Sequence, residues 1–232
     1  GWLLTGVTAL YLAACALVDG GFVECWGANG NGQLGNGVSL ATLPRSTSPV
    51  VVDVQDASDL HVGAVHDCAL VAGTVECWGG GGAGQLGNGS TGFSNLPVPV
   101  SGLTGVTALG TGMGNTCAIG AGGEVWCWGD NGHGQLGDGT TTASSVPVQV
   151  TGITDAVDVS SSLGGHTCAV RLGGEVSCWG RNEFGELGRG DSGADVLAPV
   201  DVASLTDAAT ISVGNYSACS ARTDGSVVCW GE

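Results

Sequence analysis

The sequence predicts an all-β fold made of about five copies of one unit of ~51 residues, and three observations predict it. Cys-Trp-Gly recurs five times, with Trp26, Trp78, Trp128, Trp179 and Trp230 lying 52, 50, 51 and 51 residues apart. A second cysteine precedes each tripeptide, which gives the pairs Cys15/Cys25, Cys68/Cys77, Cys117/Cys127, Cys168/Cys178 and Cys219/Cys229. Glycine is abundant at 45 residues, Val and Thr are common, and helix formers such as Lys, Glu and Met are scarce. That bias reads as short strands joined by glycine turns. The unbroken period argues for one repeat domain over 1–232, with units of roughly 1–26, 27–78, 79–128, 129–179 and 180–232.

The third unit shows each element in order. Val106-Thr107-Ala108-Leu109 alternates and reads as a strand. Thr116 to Gly120 is a second strand, Ala121-Gly122-Gly123 a turn, and Glu124 to Gly129 the returning strand. A hairpin with this loop sets Cys117 opposite Cys127, within disulfide range. In the second unit the cysteines are one residue closer and the turn, Ala72-Gly73, is one residue shorter. The deletion falls in the turn, so the register is kept. Each pair therefore reads as a disulfide inside one hairpin, contributing about 2–3 kcal/mol. Zinc is the competing reading, but zinc ligands cluster in Cys-x-x-Cys or His-x(3–5)-His sets, and none occurs here.

After each Trp-Gly comes an arm ending in Gly-Gln/Glu-Leu-Gly, at 32–35, 84–87, 134–137 and 185–188. Its glycines allow positive φ and close backbone approach, and its leucine reads as a buried anchor. The arm then runs to Pro49-Val50, Pro97-Val98, Pro147-Val148 and Pro199-Val200. Proline there suits a strand start or an edge.

Net charge is −16, with five arginines and no lysine. Such a chain repels polyanions, which excludes a nucleic-acid surface and disfavours an anionic membrane. Ten paired cysteines point to an oxidising compartment, so the expected location is extracellular or cell-surface. Leu12-Ala13-Ala14-Cys15 mimics a lipoprotein cleavage box. The first basic residue is Arg45, so the basic flank of a signal is missing, and Cys15 lies in register with the repeat. Gly1 in place of Met fits a processed chain or a piece of a longer one.

The unit is similar to the regulator of chromosome condensation repeat. The likeness is fullest from His166-Thr167-Cys168-Ala169 through Cys178-Trp179-Gly180-Arg181-Asn182 to Gly188. The resemblance covers nearly the whole chain and implies a β-propeller of four-stranded blades, usually seven; paired cysteines resemble a bacterial or extracellular variant. Five hairpins but only four arms are present, so the expected form is a fragment, a smaller ring or an open array completed by another copy. Val7 to Cys15 is also three residues shorter than Val106 to Cys117.

No catalytic, cofactor or metal residues are assigned from the sequence. His66 and His166 occupy matching positions that Asn115 and Ser217 fill elsewhere, so a structural hydrogen-bonding role is expected. His61 and His133 read as isolated and exposed. Glu24, Glu76, Glu124 and Glu175 read as solvated strand residues. Asp130, Asp138 and Asp191 lie in glycine-rich loops without a complete calcium ligand set. Asn88-Gly89-Ser90 and Asn215-Tyr216-Ser217 fit the glycosylation pattern, meaningful in a secretory setting. The repeat tryptophans read as filler between blades, with a sugar platform as the alternative. The expected function is a non-catalytic extracellular scaffold or binding protein, including a self-assembling structural subunit, whose partners are proteins, copies of itself or a glycan. An inhibitor or receptor-type propeller is the alternative. The resemblance also implies guanine-nucleotide exchange, which an acidic, lysine-free, disulfide-rich chain does not support.

Overall fold

The computed structural model describes residues 13–232 as 18 strands in five antiparallel sheets, with no helix. The start of unit one, including Val7, lies outside the described residues. The first sheet holds β1 (Ala13–Val18), β2 (Phe22–Ala28) and β3 (Arg45–Val51). The second holds β4 (Ala57–Val62), β5 (His66–Val71), β6 (Thr74–Gly79) and β7 (Ser94–Pro99). The third holds β8 (Ala108–Thr111), β9 (Asn115–Ile119), β10 (Val125–Gly129) and β11 (Ser144–Gln149). The fourth holds β12 (Ala156–Ser161), β13 (His166–Arg171), β14 (Val176–Gly180) and β15 (Val196–Asp201). The fifth holds β16 (Ala208–Val213), β17 (Ser217–Arg222) and β18 (Val227–Gly231). Strand order follows the chain within every sheet, the meander of a propeller blade.

All five cysteine pairs are directly opposed across their hairpins and disulfide-bonded, with Cα atoms 4.1 Å apart. The short turn of unit two places Ala72 and Gly73 at φ +48° and +78°, the two positive values of a tight primed turn. The prolines fall on the outermost strands β3, β7, β11 and β15, where a missing N–H breaks no ladder. The innermost strand of unit three begins at Ala108, later than the expected Val106. The Val106 N–H is instead bonded to Gly73 O of the preceding sheet's turn, at 2.9 Å. Ala57, Ala156 and Ala208 are pinned in the same way to Gly21, Gly123 and Gly174.

The core lies between sheets. At the third junction Cys117, Cys127 and Leu136 of one unit pack on Trp179 and Ala169 of the next. The other junctions repeat this, with Trp78, Trp128 and Trp230 each joining the disulfide and arm leucine of the unit before. Trp78, Trp128 and Trp179 are fully buried, so they fill the gaps between blades and offer no sugar platform. Their indole N–H groups donate to Gln33 O, Gln85 O and Gln135 O at 2.9 Å. The glycine closing each arm explains itself at this contact: a Cβ on Gly137, at φ +67°, would stand 2.7 Å from Trp179 Nε1. The units counted from tryptophan to tryptophan are therefore offset from the sheets. Residues 27–78 supply the outer strand of one blade and most of the inner three of the next.

Candidate binding cleft

The arms are folded by their own polar residues. Asn29, Asn131 and Asn182 are buried, and their Oδ1 atoms accept from the backbone of Leu34, Leu136 and Leu187. Gln33, Gln85 and Gln135 each accept a backbone N–H from two residues earlier, and Glu186 does the same from Phe184. These contacts hold each arm at one end of the sheets, beside the loops that join β8 to β9, β12 to β13 and β16 to β17.

A cleft of about 300 Å³ opens at this end, between units three, four and five. Met113, Leu163 and Tyr216 supply its apolar wall, and Asp130, His133 and Arg181 its polar one. Met113 and Leu163 are 56% and 44% exposed at equivalent loop positions. Phe184 stands edge-on to Tyr216, centroids 5.1 Å apart, and the Arg181 guanidinium lies 5.3 Å from the Tyr216 centroid. Arg181 is paired with Glu183, and His133 with Asp195 at 2.8 Å. The cleft's arginine is thus already neutralised by the chain, while Asp130 keeps an acidic wall. A larger space of about 410 Å³ runs along the inner strands; it is lined mostly by Gly, Ser, Thr and Val, and shares Leu163 and Asn215 with the cleft.

Polarity inverts at one arm. In unit three Gln135 Nε2 donates to Asp130 at 2.9 Å. Unit four has Glu186 and Arg181 at those places, and Glu186 Oε1 is buried without a partner. Arg181 has turned outward onto Glu183 and the two rings.

The residues singled out in the sequence divide as follows. His66 and His166 are fully buried and bonded to Thr116 Oγ1 at 2.7 Å and Ser162 Oγ at 3.0 Å. Burial lowers both from 6.5 to about 4, assisted at His166 by the Arg181 charge. His61 is not isolated: it lies 3.2 Å from Asp59, and His133 lies 2.8 Å from Asp195. Two-residue spacing along one strand and contact between distant arms respectively make these pairs. Glu24, Glu76, Glu124 and Glu175 are half-buried; burial and then Asp53 push Glu76 up. Asp130, Asp138 and Asp191 accept hydrogen bonds from Gly132, Thr140 and Asn182, so their loops are closed by protein donors. Among the described residues one group, Cys15, Cys25 and Asp67, has metal-ligand proximity, but its sulfurs are joined in a disulfide. The cleft's aromatic and methionine residues escaped sequence reasoning; the available signal was that they break the repeat.

Two family models described as the regulator of chromosome condensation (RCC1) repeat match the chain, one over 122–170 and 173–220, the other over 106–135 and 156–186. The chain is 31% identical over 226 residues to the human E3 ubiquitin-protein ligase HERC2, covering 94% of this chain and 4% of that one. It is 33% identical over 112 residues to the mitochondrial RCC1 domain-containing protein RUG3 of Arabidopsis thaliana, covering 47% and 25%. Human WBSCR16 superposes with a TM-score of 0.83 at 24% identity, over 95% of this chain and 59% of that one. Yeast RCC1 (Prp20), solved with Kap60, gives 0.82 at 21% identity, over 95% and 54%. The chain thus spans a little over half of these structures and a small part of the two named relatives.

Proposed function

Because this chain belongs to the regulator of chromosome condensation repeat family, we propose that it is a non-catalytic, protein-binding propeller working outside the reducing cytosol, and that its cleft takes a Lys- or Arg-bearing segment of a partner protein. One observation carries the reading: Met113, Leu163, Tyr216 and Arg181 gather in one cleft, with Phe184 edge-on against Tyr216, on a scaffold otherwise built from repetition. Met, Tyr, Phe and Arg are the residues that anchor protein interfaces. Charge complementarity selects the partner, since the chain carries −16 and the cleft's arginine is paired. Yeast RCC1 was solved bound to Kap60, and its binding to Gsp1p and histones was studied; that likeness supports protein partners as a class. HERC2 is a ligase, but the match covers 4% of it, and ligase chemistry is not part of the proposal.

The oxidised location rests on the five hairpin disulfides, which persist outside reducing compartments. Selection from a random peptide library on the folded protein tests the cleft. The expected outcome is enrichment of Lys or Arg beside an aliphatic or aromatic residue. Binding should weaken with salt and fall at least tenfold in the Met113→Asp/Leu163→Asp variant. Enrichment of acidic peptides, or binding that survives the double substitution, overturns the reading.

A further inference from the structure

At the first two junctions the residue just before the first cysteine of the hairpin faces the previous sheet's disulfide. Thr116 Oγ1 lies 4.0 Å from Cys68 Sγ, and donates to Gln85 O at 3.1 Å. Thr167 donates to Gln135 O at the same distance. At the first junction this position is Asp67. It is buried, its Oδ1 has no partner among the described residues, and its Oδ2 lies 3.7 Å from Cys15 Sγ.

That sulfur belongs to a disulfide and has no hydrogen to donate. A carboxylate there would set lone pairs against lone pairs in an apolar wall of Val23, Leu34 and Trp78. The neutral acid has a hydrogen to offer that sulfur, whereas the threonines of the next two junctions spend theirs on Gln85 O and Gln135 O. Among the described residues no cation relieves the site. The ionisable groups on the surrounding strands are Glu24 on β2, Asp59 and His61 on β4, His66 on β5 and Glu76 on β6. His61 is held by Asp59 and His66 by Thr116, and none of the five is hydrogen-bonded or ion-paired to Asp67. At the second junction His66 Nε2 meets the threonine; the matching place facing Asp67 is Ala13.

We infer that Asp67 is a proton-held latch between the first two sheets: the neutral carboxyl keeps the junction closed, and its ionisation loosens that junction and no other. Burial raises the group well above the ordinary carboxylate value, opposed in part by the Gly63 backbone N–H. For an acid shifted upward, the stabilisation is fully present below the ordinary value near 3.8 and is lost as pH rises through the folded value. His66 and His166 act with the opposite sign, so the informative quantity is the difference between the protein and its position-67 variants.

Hydrogen exchange of the Ala57 amide and the Trp78 indole reads this junction directly, since both bond across it. Ala156 and Trp179 read a threonine-bearing junction as the internal control. After correction for intrinsic exchange, opening at Ala57 and Trp78 is expected to rise by up to tenfold per pH unit above about pH 4, relative to Asp67→Thr and Asp67→Asn. The control pair should show no such difference. Equal pH dependence in all three proteins overturns the inference. Should neither variant fold, carboxyl-carbon NMR of the unsubstituted protein decides: Asp67 must stay protonated through the range where ordinary aspartates ionise, and titration near 4 overturns it.

Discussion

His66 and His166 are buried as neutral rings, and their hydrogen bonds say which proton each carries. Thr116 gives its hydroxyl hydrogen to Gln85 O, so His66 Nε2–H donates to Thr116 and Nδ1 is left without a partner. Ser162 Oγ already accepts the N–H groups of Gly164 and His166, so its hydroxyl donates to His166 Nδ1. His166 Nε2 has no partner, because the next unit has Ala218 where Thr116 stands in the junction before. A second proton on His66 meets no acceptor, and at His166 the Ser217 backbone offsets burial only in part. Both values fall to about 4, so stability is complete above the unfolded value of 6.5 and lost as pH falls toward 4. The loss should reach about 3 kcal/mol for each histidine. Urea unfolding between pH 7.5 and 4.5 checks it, and the His66→Asn/His166→Asn variant should give a flatter profile. The structural role of these histidines was legible because Asn and Ser replace them in other units. Asp67 was not, since one carboxylate among 21 acids announces nothing until its burial is seen.

The repeated arm and the repeated tryptophan are one device. Gly137 closes the arm in a left-handed conformation, and its missing Cβ is the space that Trp179 occupies. Gly139 also has positive φ, at +85°, but nothing stands within 4 Å of its Cβ position. Gly139→Ala should therefore cost only backbone strain, about 1 kcal/mol. Gly137→Ala adds displacement of a buried indole and should cost about 3–4 kcal/mol. Chemical denaturation of the two variants separates strain from collision. The spacing of glycine and tryptophan was plain in the sequence. What each glycine touches was hidden, because the partner Trp179 belongs to the next sheet, 44 residues from the Gln135 carbonyl it bonds. The hairpin register was more readable, since the shortened turn at Ala72-Gly73 reports it locally.

Five sheets repeat one interlock, and the chain departs from repetition mainly where sheets three to five present their loops. The period and cysteine pairing carried the all-β repeat, and the family resemblance carried the propeller. The cleft was invisible because Met113, Leu163, Phe184 and Tyr216 are scattered in sequence and meet only through blade packing. Scaffold and site thus have opposite signatures: the scaffold recurs, and the site does not. The scaffold depends on every hairpin being oxidised within its own unit. Peptide mapping by mass spectrometry, under non-reducing conditions on protein recovered from its natural source with thiols blocked at once, measures this most directly. The expected result is five bonds, Cys15–Cys25, Cys68–Cys77, Cys117–Cys127, Cys168–Cys178 and Cys219–Cys229, with no blocked cysteine. Blocked cysteines would contradict both the hairpin staples and the proposed oxidising compartment, and bonds between units would contradict the staples.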